Sequence, residues 1–577
     1  MRQRLRILCG ILLTLGAGAL HADENSGPAT GNEQPSAAVD VAAARVSAAR
    51  ISDHVNFLAS DLLEGRATGS RGGAIAAAYI ATQFALHGLK PAGDHGSFLQ
   101  TLMLTGIVTG PQTSLSLEPT AGAPIPLKLG DDYLVTDETG ERSFGINQVP
   151  IVFVGYGINA PELHHDDYQG ADVHGKIALM LAGLPPADAQ IRINPSAAAN
   201  DYGSARYKFE QAARQGATGA ILVHLHKSNP IAWSILSNTL RPGRYFLVDD
   251  KAPRLHAAVW IQGDVARVLF ATSHQSLDAA VHAAGSSAFK AQPLPVRLGG
   301  KIASTVRHFS ASNVIGLLPA KAADAPQQLG PKQVVMYTAH YDGLGVVANP
   351  EGNTIYNGAV DNASGVGMLL ETAQIIASAP RRPPRAMLFA ATTGGEQGQL
   401  GARYLSRHLP VPARDFKLIL NYDTVPPLGI PQSVVVSNAP RSNFMPTVKR
   451  VAEAMHLHVE NDASPHVGDG VAETLPFARI GIPAFSINEG LKFAGHPLQW
   501  GATELQNYRL QRYRQTGDQY HPEMDFHGNA KLVRYGLALG WAASMQPQPI
   551  RWRAGDAFGR QPSVINPIQP ADKPAQP

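Results

Sequence analysis

The chain has 577 residues, of which 44% are hydrophobic and 16% are charged, a composition typical of a globular protein with a large core. This length exceeds that of one ordinary domain, and we expect about two to four domains. The net charge of +3 is nearly neutral for this size, so the composition gives no reason to expect nucleic acid or an anionic membrane surface as a partner.

The N-terminus has the pattern of a secretory signal. Arginine residues precede an apolar stretch over residues 7–20, and small residues follow it. We predict a signal peptide over residues 1–22 and a secreted or periplasmic location. The apolar stretch is short for a membrane span, so we interpret it as a removable signal. After the signal is removed, we expect no stable membrane span. The only cysteine, Cys9, lies inside this segment, and the mature chain is therefore predicted to lack disulfide bonds.

The next segment leads into the first part of the main domain. Residues 23–42 are rich in small and polar side chains, which is typical of a flexible leader. Apolar residues at helical spacing begin near residue 43, and a second helix is predicted over residues 72–87 after a glycine-rich turn. We assign residues 43–140 to the N-terminal part of this domain.

A separate set of strand and helix signals follows. Strands are predicted at residues 149–154, 176–181 and 219–225, with a helix around residues 205–215. We treat residues 141–295, with approximate boundaries, as a separate unit of the chain.

The last large block, residues 296–548, alternates strands with helices. Its predicted elements are strands at residues 334–339, 386–391 and 417–422 and helices at residues 365–379 and 530–545. The strands are almost continuously apolar, which indicates a mostly parallel sheet with helices on both faces. The predicted fold class is therefore α/β, with a mostly parallel mixed sheet flanked by helices. A proline-rich tail is assigned to residues 549–577.

Residues that can bind a metal ion stand at the ends of these strands. His340 follows one predicted strand, Glu396 follows the next and Asp423 ends a third, while Asp361 lies in a loop before a helix. Each residue alone would be an ordinary cap, turn or surface residue. Open α/β sheets gather their ligands at the carboxyl ends of the strands, so we expect these side chains to converge. One imidazole and three carboxylates suit zinc or a similar divalent ion.

These motifs resemble those of the co-catalytic di-zinc aminopeptidase family, which also includes glutamate carboxypeptidase, glutaminyl cyclase and the transferrin-receptor ectodomain. The resemblance extends to residues 58–70, to an insert signature at residues 166–176, and to the stretches 477–484 and 495–501. It implies a zinc-peptidase-like three-layer domain with a protease-associated α+β domain inserted over residues 141–295. It also implies a peptide or protein substrate.

The resemblance assigns a role to each candidate residue. His340, Asp361 and Asp423 match the ligands of one metal ion, with Asp361 as the bridge to a second ion. Glu396 matches a ligand of that second ion, and Asp342 matches the carboxylate that orients the ligand histidine. The family hydrolyses N-terminal peptide bonds with a metal-activated water, and a neighbouring glutamate acts as the general base.

The sequence departs from the family pattern at three places. Gly395 stands at the position of the general base, and a glycine cannot accept a proton. Arg514 stands at the position of the second-metal histidine, and a guanidinium stays protonated and cannot bind a metal. A family Asp-His pair appears as Glu473-Thr474. We therefore favour one zinc ion over two, with the Arg514 cation paired to Glu396.

Two functions are compatible with this pattern. The first is a secreted metallo-aminopeptidase that uses one metal ion and a base that the sequence does not identify. The second is an inactive family member that binds peptides or a protein partner through the same cleft. The three departures favour the second function, whereas the extent of the resemblance favours the first. The sequence predicts neither a side-chain preference nor an oligomeric state.

Overall fold

A computed structural model describes residues 37–186, 189–190, 202–225, 232–320, 333–347, 354–461 and 473–559. The predicted signal peptide, most of the predicted leader and the end of the predicted tail lie outside these residues. In the part of the chain that the structure describes, no helix is long and apolar enough to cross a bilayer.

The strands lie in one large sheet system and two small hairpins. In chain order they are β1 (Lys90–Pro91), β2 (Leu99–Thr109), β3 (Ser114–Pro119), β4 (Ile125–Leu127), β5 (Tyr133–Thr136), β6 (Ser143–Phe153), β7 (Asn159–Ala160), β8 (His165–Asp166), β9 (Ile177–Leu181), β10 (Gly219–His224), β11 (Arg244–Leu247), β12 (Ala257–Gln262), β13 (Gln292–Leu318), β14 (Val334–His340), β15 (Gly345–Val346), β16 (Ile355–Tyr356), β17 (Ala386–Thr392), β18 (Phe416–Asn421), β19 (Ser433–Ser437), β20 (His458–Val459) and β21 (Ala484–Glu489).

The α-helices alternate with these strands in both parts of the molecule. They are α1 (Ala37–Ala43), α2 (Ala48–Leu58), α3 (Arg71–Leu86), α4 (Ala205–Arg214), α5 (Trp233–Leu240), α6 (Gly263–Ala271), α7 (Leu277–Ala284), α8 (Gly365–Ala377), α9 (Leu400–Arg407), α10 (Met445–Ala454), α11 (Leu475–Arg479), α12 (Trp500–Gln511) and α13 (His527–Met545).

The centre of the main sheet is parallel. β17, β14, β18 and β21 lie side by side in that order and run in the same direction. Antiparallel strands flank this centre, with β13 beside β17 and β19 beside β21. The predicted α/β class, with a mostly parallel mixed sheet, is confirmed.

Helices cover both faces of this sheet because its central strands are apolar on both sides. Successive side chains of a strand point to opposite faces. Val335 and Tyr337 of β14 accordingly pack with α2, α8 and α13, whereas Val334 and Met336 pack with α9 and α11. The β14 strand is therefore enclosed on both faces, and its carboxyl end is held rigidly.

A second sheet region is formed by the preceding part of the chain. β6, β9, β10 and β12 run parallel to one another, and β5 pairs antiparallel with β12. α6 and α7 pack on one face of this region, and α4 and α5 pack on the other. The protease-associated character of this region and its predicted boundaries stay predictions.

The long strand β13 joins the two sheet regions. Its first part pairs with β3 and β6, its middle pairs with β2, and its last part, Val314 to Leu318, pairs with β17. This strand was not among the elements predicted from the sequence. Because one continuous strand belongs to both sheet regions, the second region is fixed against the main sheet rather than tethered by a loop.

Candidate metal centre

The carboxyl ends of the parallel strands bring the predicted residues together. His340 is the last residue of β14, and β17 ends at Thr392 shortly before Glu396. β18 ends at Asn421, so Asp423 lies just beyond the strand rather than at its end. Since β14 pairs in parallel with both neighbours, these segments reach the same edge of the sheet.

The three predicted ligands of one metal ion lie in a compact group, which we name the histidine half: His340, Asp361 and Asp423. Nε2 of His340 is 3.4 Å from Oδ1 of Asp361 and 3.4 Å from Oδ1 of Asp423. One ligand atom from each residue lies within 4.8 Å of the others. Zinc bonds of about 2.0–2.1 Å in a tetrahedral site place ligand atoms about 3.3 Å apart. The donor types and their spacing therefore fit one zinc ion.

The charges in the histidine half favour a cation. Burial opposes protonation of His340, but the surrounding carboxylates, Asp423 foremost, outweigh burial and raise the pKa of the imidazole well above its usual value. The hydroxyl of Thr424 lies 3.0 Å from Oδ1 of Asp361 and 3.0 Å from Oδ1 of Asp423. These carboxylates are thus held close together, which is costly unless positive charge lies between them.

Two polar residues that the sequence analysis missed fix the loop that carries Asp361. Asp518 accepts hydrogen bonds from the backbone N–H groups of Val360 and Asp361, each at 3.0 Å. Burial raises the pKa of Asp518 to about 6. Asn362 accepts from the N–H of Thr424 at 3.0 Å and donates to the carbonyl oxygen of His340 at 3.2 Å. Both residues join segments far apart in sequence, so no local motif identifies them.

Asp342 links the end of β14 to the loop that follows β17. Its Oδ1 accepts a hydrogen bond from the N–H of Gly395 at 2.8 Å, and its Oδ2 accepts one from the hydroxyl of Thr68 at 2.9 Å. The same carboxylate lies 3.5 Å from Nδ1 of His340, which is also 3.2 Å from the backbone oxygen of Asp342. Asp342 thus lies beside Nδ1 of His340, and its role in orienting that ring stays a prediction.

The buried side chain of Arg66 holds backbone segments next to the site in place. The guanidinium of Arg66 donates to the carbonyl oxygens of Tyr341 at 2.9 Å, Asn357 at 2.6 Å and Gly358 at 3.0 Å. Arg66 is 1% exposed, and burial lowers its pKa to about 10 although the carboxylates, Asp518 foremost, act in the opposite direction. Arg66 lies in the segment 58–70 that resembles the family, but no sequence signal predicted a role for this residue.

The residues expected at the second metal ion form a different arrangement, which we name the arginine half: Gly395, Glu396 and Arg514. Nη2 of Arg514 lies 2.8 Å from Oε2 of Glu396, and its Nε lies 3.7 Å from Oδ2 of Asp361. Burial raises the pKa of Glu396 to about 8, and the Arg514 charge opposes that shift. The Arg514 guanidinium thus contacts the same carboxylates that the second ion would contact.

Little space remains in the arginine half. The cavity that Asp361, Glu396, Arg514 and Asp518 help to line has a volume of about 10 Å³. By the same measure, a single water molecule needs roughly 10–15 Å³. With Arg514 in this position, the cavity cannot take a metal ion together with water ligands.

Gly395 is confined by the ligand histidine. A Cβ atom at this position would lie 2.5 Å from Cγ and 2.8 Å from Nδ1 of His340. Real Cβ atoms essentially never approach other atoms this closely, so any side chain here would displace the ring or the loop. The family's glutamate therefore cannot be accommodated in this conformation of the loop.

A further buried carboxyl group lies near the histidine half. Glu473 is 2% exposed and accepts a hydrogen bond from the hydroxyl of Thr392 at 3.1 Å. Burial raises its pKa to about 8, and the nearby His340 opposes that shift. Thr474, the other member of the substituted pair, is buried and hydrogen-bonded to Asn438 at 3.3 Å.

Comparison with known proteins connects this site to one family. Residues 313–532 match the sequence profile of peptidase family M28. A probable zinc metalloprotease of Leptosphaeria maculans is 37% identical over 95 residues, which cover 16% of this chain and 21% of that protein. Leupeptin-inactivating enzyme 1 of Streptomyces exfoliatus is 27% identical over 183 residues, which cover 31% of this chain and 38% of that protein. The chain thus spans well under half the length of these curated relatives.

A solved structure shares the overall fold. An aminopeptidase from Aneurinibacillus sp. strain AM-1 superposes with a TM-score of 0.51 at 18% sequence identity, over 92% of this chain and 98% of that one. All members of the histidine half and the arginine half lie within the residues that match the family profile. The resemblance to the zinc aminopeptidases is confirmed at the level of the family. The similarity to peptidase family M28 therefore rests on residues 313–532, the part of the chain that contains the site.

Proposed function

We propose that this protein is a zinc-dependent peptide hydrolase of the aminopeptidase type that binds one zinc ion through the histidine half. The observation that carries this proposal is the contrast at Asp361. One carboxylate oxygen faces His340 at 3.4 Å, and the other faces Arg514 at 3.7 Å. When bound, zinc would supply Lewis acidity and lower the pKa of a water molecule.

The protein's own residues would position the zinc ligands and balance their charge. Asn362 and Asp518 hold the Asp361 loop, and Asp342 fixes the loop of the arginine half against β14. Arg514 supplies positive charge beside Glu396, as a second metal ion does in the family. A fixed charge beside the reacting group stabilises negative charge that develops on a carbonyl oxygen.

Because Gly395 stands at the position of the general base, we expect slow turnover. Gly395 offers no proton acceptor, and the loss of a general base typically lowers a rate by about 10²–10⁴-fold. Glu396 and Glu473 are buried carboxyls in or near the site whose pKa values are raised to about 8 in each case. Glu396 is paired with Arg514, and burial disfavours the ionised form of both carboxyls, which makes them poor substitutes for the family's ionised glutamate.

A second candidate function is peptide binding without turnover. The close contact between Gly395 and the His340 ring favours it, because the loop has no room for the family's base.

Hydrolysis of aminoacyl reporters by the full chain tests this proposal. The chain would be stripped of metal, titrated with zinc and assayed beside His340→Ala and a control, His282→Ala, whose residue is exposed on α7. We expect weak hydrolysis that requires zinc and falls by at least about 100-fold in His340→Ala, because a ligand is lost. The His282→Ala control should retain the zinc-dependent hydrolysis. Peptide binding without zinc-dependent hydrolysis of any reporter would support the second function instead.

We also propose a secreted or periplasmic location, from the signal pattern over residues 1–22. N-terminal sequencing of the mature protein tests it. We expect a start shortly after the predicted segment, whereas a mature protein that retains Met1 would contradict it.

A further inference from the structure

A cleft of about 350 Å³ lies where the second sheet region meets the loop of the arginine half. Its charged lining comes from α4, β11, α11 and the segment after β17. The charged residues that line it are Arg206, Glu210, Arg214, Arg244, Glu396 and Arg479. We name this feature the arginine cleft.

The acidic residues of the arginine cleft do not balance its basic residues. Glu210 is shared between Arg206, at 2.8 Å, and Arg214, at 3.5 Å. Glu396 is paired with Arg514, which lies outside the lining. Even without Arg479, the lining arginines Arg206, Arg214 and Arg244 outnumber Glu210, and an anionic group would complement the cleft.

Arg244 is the lining residue with the clearest capacity for a ligand. It lies at the start of β11 and is partly buried. Among the described residues, its buried Nε has no hydrogen-bond acceptor. A buried N–H without an acceptor is unfavourable. Because Arg244 also lines the cleft, a carboxylate that enters the cleft can pair with this residue.

Among carboxyl groups, Glu138 has the largest electrostatic effect on the pKa of Arg244. Burial lowers the pKa of Arg244 and the charge of Glu138 opposes that shift, while burial raises the pKa of Glu138. Glu138 does not line the cleft. Glu138 therefore acts on Arg244 from inside the fold, whereas an acceptor from solvent would approach Arg244 through the cleft.

The arginine cleft adjoins the candidate metal centre. Glu396 lines both the cleft and the small cavity around Arg514 and Asp361. A peptide whose end lies at the histidine half could therefore extend past Glu396 into the cleft. A guanidinium binds a carboxylate with a geometry that a neutral amide does not match.

We propose that the arginine cleft binds a carboxylate of the peptide, with Arg244 as the residue that determines this preference. The proposal rests on the proposed function, because it assumes that peptides bind at the metal centre. The carboxylate belongs either to an acidic side chain or to the C-terminus of a short peptide. Both sources offer the same chemistry to the cleft.

Calorimetry with the zinc-loaded full chain tests this proposal. The probes are Ala-Glu-Ala amide, Ala-Gln-Ala free acid and Ala-Gln-Ala amide, each with an N-methylated first peptide bond that resists hydrolysis. We expect at least one of the two peptides that carry a carboxylate to bind about 10- to 100-fold more tightly than the neutral amide. The tighter of the two identifies the source of the carboxylate.

Variants of Arg244 test whether this residue causes the preference for a carboxylate. Arg244→Gln should abolish it, and Arg244→Lys should retain part of it because the charge is kept. The control is Arg267→Gln, since Arg267 is an exposed residue of α6 paired with Asp264 outside the cleft. Thermal unfolding shows whether each variant folds. In the unmodified chain the preference should also decrease as the salt concentration rises.

Several results would overturn the proposal: equal binding of the three peptides, absence of binding to all of them, or a preference that survives in Arg244→Gln. Failure of the proposed function has a different signature. In that case the unmethylated peptides would not be hydrolysed, but the carboxylate preference and its loss in Arg244→Gln would still be measured.

Discussion

The histidine half and the arginine half lie at the same sheet edge and both place positive or metal-binding groups beside Asp361, but by different means: a candidate metal site next to His340 and the guanidinium of Arg514. In the histidine half, His340 and Asp423 place donor atoms within 4.8 Å of Asp361, with room for a cation between them. In the arginine half, a guanidinium occupies the equivalent space and leaves a cavity of about 10 Å³. The difference is consistent with our proposal that the histidine half binds one metal ion and that the Arg514 side chain takes the place of a second one.

The two halves also differ in how they are supported. The loop of Asp361 in the histidine half is fixed by Asn362, Asp518 and Arg66, all of them buried and hydrogen-bonded to its backbone or to neighbouring segments. The arginine half depends on the ion pair between Arg514 and Glu396 and on the tight fit of Gly395. The histidine half should therefore be the more sensitive to changes in its supporting residues.

The largest expected effect on stability comes from Arg66→Met. This change would leave the carbonyl oxygens of Tyr341, Asn357 and Gly358 without their donor and remove a buried charge near the carboxylates. We expect the free energy of unfolding to fall by about 3–5 kcal/mol, as when one partner of a buried charge is removed. Chemical denaturation of the full chain measures this change.

Arg71→Met is the matched control for Arg66→Met, because Arg71 is nearby in sequence but exposed at the start of α3. It should change the free energy of unfolding by less than about 0.5 kcal/mol. Equal effects of the two substitutions would show that Arg66 does not support the histidine half.

Gly395→Ala tests whether the close fit of Gly395 against the His340 ring determines the position of that ring. The added methyl group would meet the His340 ring at 2.5 Å and displace either the ring or the loop. We expect a loss of about 1–3 kcal/mol in stability. Zinc affinity should fall by about 10- to 100-fold, because a ligand would be misplaced. Zinc titration followed by calorimetry measures the affinity.

Gly145→Ala provides the comparison, since nothing lies within 4 Å of a Cβ atom there. It should leave zinc affinity unchanged. If Gly395→Ala bound zinc as tightly as the unmodified chain, the contact with His340 would have no functional consequence.

A smaller effect is expected from pH, at a carboxyl beside the histidine half. Glu489 ends β21 next to Asn488, which donates to the backbone oxygen of Asp423 at 2.9 Å. Burial raises the pKa of Glu489 to about 8. The folded state therefore holds this proton more tightly than the unfolded state. The resulting stability is present below about pH 4.5 and is lost as the pH rises to about 8.

Glu489→Gln should remove this dependence. We expect the variant to exceed the unmodified chain in stability by about 1–3 kcal/mol at pH 9 and to lose the advantage at pH 5. Thermal unfolding between pH 5 and pH 9 provides the measurement. A difference between the two proteins that stays constant over this range would contradict the assignment.

Much of the main sheet was predictable from local sequence. The apolar runs at residues 334–339, 386–391 and 417–422 each became a central parallel strand, with bounds that differ by about one residue. The positions of the strand ends in the sequence were then sufficient to predict that His340 and Asp423 lie close together. Local patterns are informative here because a strand buried on both faces is apolar along its whole length.

Contacts between distant segments were not predictable. The strand β13 pairs with both sheet regions, but its sequence shows no signal for two sets of partners. Arg66 and Asp518 act on a loop far from them in sequence, and the confinement of Gly395 depends on the position of the His340 ring. The arginine cleft likewise exists only because residues of the second sheet region meet the loop of Glu396.

The replacement of the second metal ion by Arg514 is tested most directly by the number of zinc ions that the chain binds. Calorimetric titration of the metal-free full chain, checked by elemental analysis after dialysis, gives this number for the unmodified protein and for Arg514→His. We expect saturation at one zinc ion per chain in the unmodified protein, with a second site appearing only when the guanidinium is replaced by an imidazole. Two zinc ions per unmodified chain would contradict the central claim.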